Sequence, residues 1–561
     1  MLGPEDDVPA LSGLLSRSLR ELADRARDGR AAGRPAGPLV RGPPAAAPAA
    51  RRRGTAREGT GPGTRTRDEG GSGDMTQGNT ADGATAGLET SQWKYLSARG
   101  REQEMHVVLT VRVGGTGGTP GDRPGGGPLL AQVLVVDCSG SMTWPQEKFR
   151  AARQAAAAAI RMLPDGTPFA VVQGTEDALM AYPAQERMAA ASAEERRRAT
   201  SALHGLPAGG GTCIGAWLDL AGRLLAERGA PIGHVLLLTD GRNEHDGVMP
   251  LDRVLDTWDG RFVCDAWGIG DGWDARELLG ITRRLHGGAG AVREEAALPG
   301  EYEKLTARLL TKTLPELTVE VTPAPGTTVR YLKQVFPTEA DLEPAGPPGP
   351  GGAYRFTTRA WGDETRRYQL CLSADPTGRP RHEDLQLAVV ALAPPAGHTV
   401  RLPPPRPCVV HWTEDPALSG HTDTQVAHFQ LYAQLGQAVA AAADAHRRGD
   451  REGAEHHLGR GVRLAHTVGA VRPLADFQRL VEVLDATAGR VRLRAGLAPV
   501  DFEHLITSSS RSTYGPEPDD GDAPRGPAAA GATAPCPACG GRAPVDARFC
   551  PRCGRRLRER P

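Results

Sequence analysis

The chain has 561 residues, enough for several domains, but 71 glycines, 47 prolines and only 4% aromatic side chains leave too few large apolar groups for all of it to pack a core. Lys plus Arg and Asp plus Glu both number 67, so bulk charge supplies no argument for binding nucleic acid or an anionic membrane surface. No apolar run reaches the length of a spanning helix.

Residues 1–92 read as a tail of Ala, Arg, Gly and Pro. Leu11 to Ala26 is the one stretch with helical spacing, and disorder is expected elsewhere. Glu5, Asp6 and Asp7, with no apolar segment behind them, argue against a secretory signal. Arg51, Arg52 and Arg53 read as a solvated tail rather than a nucleic-acid arm. Met75 opens a more polar, Thr-rich stretch and is expected to be the translation start. Order is expected from Trp93. Val107, Leu109, Val111 and Val113 alternate as one face of a half-buried strand, and a Gly-rich linker follows to residue 127.

Residues 128–315 alternate strand and helix, which predicts a doubly wound parallel sheet. Val133 to Val136 is an apolar run of the kind buried on both faces, and it ends in Asp137-Cys138-Ser139-Gly140-Ser141. Gly209-Gly210-Gly211-Thr212 places a hydroxyl on a Gly-rich loop ahead of a helix over Ile214 to Arg228. Val235 to Leu238 is a second apolar strand, ending in Thr239-Asp240-Gly241. Open α/β sheets gather ligands at the carboxyl ends of their strands. Carboxylates and hydroxyls converging there make an oxygen-only site suited to Mg²⁺ or Mn²⁺.

These residues, in this order, resemble the metal-ion-dependent adhesion site of the von Willebrand factor A domain family, and of its bacterial cytoplasmic members in particular. Asp137, Ser139 and Ser141 match the family's DxSxS, Thr212 its loop threonine and Asp240 the aspartate after its fourth strand. The resemblance implies that Asp137 and Asp240 fix the ion. It implies that Ser139 and Ser141 close the near side and that Thr212 is the exchangeable ligand. It also implies a partner protein that completes the coordination with an Asp or Glu carboxylate, which is docking and not turnover. Similar proteins act beside ATPases, kinases, phosphatases or phosphopeptide-binding modules. A metal hydrolase is the rival, with His245 as base; a solvated loop histidine is the simpler reading. Cys138 lacks a Cys–His setting and is expected to be inert. Trp144 is placed to rim the site.

From residue 316 to 415 the period changes to two, and an antiparallel β-sandwich is expected. Met105 to Val113 is expected to join it, making the A-type domain an insertion. Residues 421–497 return to helical spacing in three stripes. The stripes are Phe429, Tyr432, Leu435 and Val439; Ala454, Leu458, Val462 and Ala465; and Leu474, Phe477, Val481 and Leu484. A three-helix bundle packed on the sandwich is expected, although the Ala-rich pairing also resembles a tetratricopeptide unit. Residues 507–534 read as a disordered linker.

In residues 535–561, Cys536, Cys539, Cys550 and Cys553 form C-x₂-C-x₁₀-C-x₂-C, a spacing that closes four thiolates around Zn²⁺ and resembles a zinc ribbon. Arg548, Arg552, Arg555, Arg556, Arg558 and Arg560 make this tail basic. Nucleic-acid binding stays open on that account, but the scarcity of stacking aromatics favours protein docking. The other five of the nine cysteines form no disulfide spacing, which fits a reducing, cytoplasmic compartment. The sequence thus predicts a multidomain α/β adaptor that holds Mg²⁺ (or Mn²⁺) and Zn²⁺ and is not an enzyme.

Overall fold

The computed structural model describes residues 84–116, 128–247, 249–395, 398–420 and 423–510, with 533–535, 537 and 542–544. The expected Leu11–Ala26 helix, Arg51–Arg53, Met75, and Cys536, Cys539, Cys550 and Cys553 lie outside them.

The chain first lays down β1 (Thr85–Gln92), β2 (Tyr95–Ser97) and β3 (Gln103–Gly114). Order therefore begins upstream of Trp93, because β1 pairs antiparallel with β3 along its whole length and buries Ala86 and Leu88. The α/β domain follows. Its strands are β4 (Leu130–Asp137), β5 (Pro168–Gly174), β6 (Ala178–Tyr182), β7 (Ala189–Ala190), β8 (Ile232–Thr239), β9 (Val263–Gly268) and β10 (Ala289–Ala291). They form one sheet of order β10-β9-β8-β4-β5-β6, with β7 on β5. The run β10-β9-β8-β4-β5 is parallel, and β6 and β7 are antiparallel to β5.

Helices cover both faces, which is why β4 is buried at every position. Helices α1 (Gln146–Met162), α2 (Ala193–His204) and α6 (Leu298–Leu310) pack on the face of Leu134, Val136, Leu236 and Leu238. Helices α3 (Ile214–Arg228), α4 (Leu251–Trp258) and α5 (Ala275–Arg284) pack on the face of Val133, Val135, Val235 and Leu237. The alternation of side chains along a strand sorts these residues to opposite layers.

The chain then returns to β structure through β11 (Leu314–Pro323), β12 (Thr327–Phe336), β13 (Ala340–Leu342), β14 (Tyr354–Trp361), β15 (Glu364–Ala374), β16 (Asp384–Ala393) and β17 (Arg406–Thr413). Two five-stranded sheets result, β1-β3-β15-β12-β13 and β14-β11-β16-β17-β2. Val107, Leu109, Leu370 and Leu372 of the first share a core with Val319, Val321, Val390 and Val410 of the second. Since β3 and β11 flank the α/β domain in sequence, that domain is inserted between strands of the paired sheets.

After a single turn of helix at Pro416–Ser419 come four longer helices: α7 (Thr424–Arg447), α8 (Arg451–Val468), α9 (Val471–Leu480) and α10 (Pro499–Ser509). Here the structure corrects the sequence reading at three points. The third helix ends at Leu480, not Leu484; Val481–Asp485 is instead a strand paired with Arg490–Leu493, and Leu484 is exposed. Alternating Val481 and Val483 meet Leu493 and Val491 across that hairpin, and β-branched pairing outweighs the helical spacing. Helix α10 lies beyond residue 497, where the helical region was expected to end. The helices also dock mainly on the α/β domain: Tyr432, Leu435, Val462, Phe477, Phe502 and Leu505 continue the core of α3, α4 and α5. On the sheet side, Val426 and Phe429 form a smaller apolar cluster with Val108 and Val335.

Candidate metal centre

The site is built at the carboxyl ends of β4 and β8. Backbone geometry after β4 is fixed by Asp137, whose Oδ1 accepts from Ser139 N at 2.8 Å. Its Oδ2 accepts from the Thr239 hydroxyl at 2.6 Å and faces Asp240 N at 3.4 Å, so one carboxylate ties the two strand ends together. A short 3₁₀ turn, Gly140–Thr143, then carries Ser141 back over the strand end. The Ser139 and Ser141 hydroxyl oxygens lie 3.0 Å apart, and Ser141 Oγ donates to Asp240 Oδ1 at 2.7 Å.

The Gly-rich loop supplies Thr212. Gly209 N donates to Cys138 O, and Gly140 N to Gly210 O, which clamps this loop against the β4 turn. Glycine is needed at Gly210, where φ is +87° and a Cβ would fall on the Glu176 carboxylate. Thr212 O receives the amides of Glu244 and His245, joining the loop to the segment after β8. A Cβ added at Gly241 would lie 3.3 Å from Thr212 Oγ1 and 3.8 Å from Ser141 Oγ, so both hydroxyls face the bare Gly241 backbone.

The structure thus brings together Asp137, Ser139, Ser141, Thr212 and Asp240. Asp137, Ser139, Thr212 and Asp240 are buried, while Ser141 is open to solvent. Trp144, 79% exposed, stands three residues from Ser141. His245 sits beside Gly211 at the rim, with its ring Nδ1 3.4 Å from Thr212 O. The Cys138 thiol is wholly buried and pushed up to about 12 by burial and by Asp137, which leaves it protonated and unreactive.

One residue of the centre is absent from the sequence reading. Lys148, in the first turn of α1, is buried and forms an ion pair with Asp240 Oδ2. The signal was available: Lys148, Ala152, Ala155 and Ala159 share the buried stripe of α1, and a charge on such a stripe requires a partner.

The donor set fits a hard divalent ion. All five donors are oxygens, two of them carboxylates. Burial, with a smaller contribution from the Asp240 charge, pushes the Asp137 carboxyl up to about 6.

A doubly wound sheet with a loop cluster at the ends of its two central strands is the architecture of a von Willebrand factor type A domain. The family model for that domain matches residues 131–290. A solved structure described as von Willebrand factor type A from Catenulispora acidiphila is 31% identical. The match covers 79% of this chain and 100% of that one, with a TM-score of 0.68. The chain belongs to the von Willebrand factor type A family. The ArnB paralog VWA2 from Sulfolobus acidocaldarius is also similar, at 12% identity over 76% of this chain and 98% of that one, with a TM-score of 0.44. No functionally curated protein matches. Among the described residues, no helix is long and apolar enough to cross a membrane.

Proposed function

We propose that this protein is a metal-dependent adaptor of the cytoplasm, without enzymatic turnover, that captures partner proteins through Asp137, Ser139, Ser141, Thr212 and Asp240. The observation that carries this reading is the joining of the Ser139, Ser141 and Asp240 side chains in one hydrogen-bonded row, beside Thr212 and open to solvent only at Ser141. Asp137 and Asp240 hold the charge for Mg²⁺ or Mn²⁺, and the hydroxyls of Ser139, Ser141 and Thr212 add neutral oxygens. A bound divalent ion supplies an electron-poor position that an Asp or Glu carboxylate of a partner can complete. Trp144 offers that partner an exposed apolar surface beside the entrance. In this reading Cys536, Cys539, Cys550 and Cys553 hold Zn²⁺ in a ribbon that serves as a docking tail. Retention of partners on the full-length chain in Mg²⁺, with loss both in EDTA and in Asp137→Ala, is the expected result. An identical set of partners in all three conditions would overturn it.

A further inference from the structure

We propose that Glu104, His106 and Cys371 form a second metal site, for Zn²⁺, on the outer face of the sheet β1-β3-β15-β12-β13. His106 of β3 and Cys371 of β15 are direct register partners, and Glu104 precedes His106 by two positions. All three therefore project from one face, with opposed side chains close enough to share a ligand. Their ligand atoms lie within 4.8 Å of one another. The intervening residues Met105, Val107, Leu370 and Leu372 point the other way, into the core between the sheets.

Two features of the cluster call for a ligand. Cys371 is fully buried, and His106 Nδ1 is buried with no hydrogen-bond partner. An orphaned imidazole nitrogen costs folding free energy, and a metal that takes its lone pair removes that cost.

The donors select the ion. Thiolate, imidazole and carboxylate are zinc ligands, whereas Mg²⁺ takes oxygen. Burial keeps the Cys371 thiol well above its ordinary range, so zinc displaces that proton to solvent as the S–Zn bond forms. Thiolate and carboxylate then cancel the charge of the ion, which matters because Lys333 and Arg330 both act on Cys371. Tyr331 is the register partner of Cys371 on β12, on the other side of β15 from His106. Three protein ligands leave one tetrahedral position, on the side of half-buried Glu104.

The test uses the full-length chain carrying Cys536→Ser, Cys539→Ser, Cys550→Ser and Cys553→Ser, titrated with Co²⁺ and then Zn²⁺. The expected result is a near-ultraviolet sulfur-to-cobalt charge-transfer band, displaced by one equivalent of Zn²⁺. The oxygen-only centre at Asp137 gives no such band. Cys371→Ser in this background should abolish the band, and His106→Gln should weaken cobalt binding at least tenfold, both with an unchanged circular dichroism spectrum. Absence of the band in the starting chain, or its survival in Cys371→Ser, overturns the proposal. If Cys371→Ser fails to fold, His106→Gln and Glu104→Gln decide: an unchanged cobalt spectrum and affinity in both overturns it equally.

Discussion

Lys148 and Asp240 form a buried ion pair at the mouth of the candidate metal centre, the ammonium against Oδ2 while Oδ1 receives the Ser141 hydroxyl. The lysine stem also runs past Gly270, where a Cβ would come within 3.0 Å of its Cδ. A fixed positive charge beside an acidic cluster does two opposed things. It stabilises the cluster without metal, and it repels a divalent ion that comes to the same carboxylate.

Lys148→Met should separate those effects. Without metal the variant leaves Asp240 buried and unpaired, at a cost of about 3–5 kcal/mol. Mg²⁺ should bind it roughly tenfold more tightly than wild type, a gain of about 1.4 kcal/mol, and restore much of the stability. Calorimetric titration with Mg²⁺ and thermal unfolding with and without the ion measure both. An affinity equal to wild type would show that the lysine does not act on the ion's position.

Asp137→Asn addresses the other carboxylate. The folded-state carboxyl, at about 6, lies above the ordinary 3.8, so the folded chain binds its proton more tightly than the unfolded chain does. Metal-free stability is therefore lost as pH rises from about 4 to about 6, and the loss is complete above that window. The amide carries no charge, and the Thr239 hydroxyl can turn to Gly241 O, 3.2 Å away. The variant should be more stable than wild type by on the order of 2 kcal/mol at pH 7 without metal. It should also lose the Mg²⁺-induced rise in melting temperature. Equal stability at pH 7 in EDTA would refute the first half, and a retained Mg²⁺ response the second.

What could be read from the sequence follows from how local each signal is. Val133 to Val136 in β4 and Val235 to Leu238 in β8 are unbroken apolar runs because helices cover both faces, and such runs stand out from any neighbour. Asp137, Ser139, Ser141, Thr212 and Asp240 were legible because each sits where a strand or glycine loop ends. Lys148 is legible only through the Ala152, Ala155 and Ala159 stripe that it shares; taken alone, a single charge in an Ala-rich helix reads as surface. Helix α10 was hidden for a similar reason: its buried face includes Glu503, Thr507 and Ser509, so polarity masks its apolar stripe. The docking of α7–α10 on the α/β domain has no local signature, since Tyr432 and Leu435 would bury equally well against either partner.

His504 should make part of the acid sensitivity. It lies edge-on to Trp273 at 5.5 Å, and burial holds its imidazole down at about 4, with Arg293 and Arg479 opposing protonation and Asp501 and Asp476 favouring it. The unfolded chain takes up this proton near pH 6.5 and the folded chain only near 4, so stability falls as pH drops through that interval. His504→Gln should flatten this part of the profile. Urea unfolding at pH 7, 6 and 5 measures it, and parallel profiles for wild type and variant would exclude the residue.

Glu503 joins α10 to the α/β domain. It is 4% exposed, and its Oε2 accepts the Ala275 amide at 2.9 Å. Ala275 opens α5, whose next two amides are taken by Asp274, so one carboxylate from each partner caps a single helix end. A negative charge there also suits the helix dipole. Glu503→Ala would orphan a buried N–H and should cost about 1–3 kcal/mol. Glu503→Gln keeps an acceptor and should cost clearly less. Hydrogen exchange adds a local readout: the Ala275 amide should lose protection in the alanine variant and retain most of it in the glutamine variant. Were both variants to match wild type in urea stability and in exchange at Ala275, α10 would be held by the apolar contacts of Phe502, Leu505 and Ile506 alone.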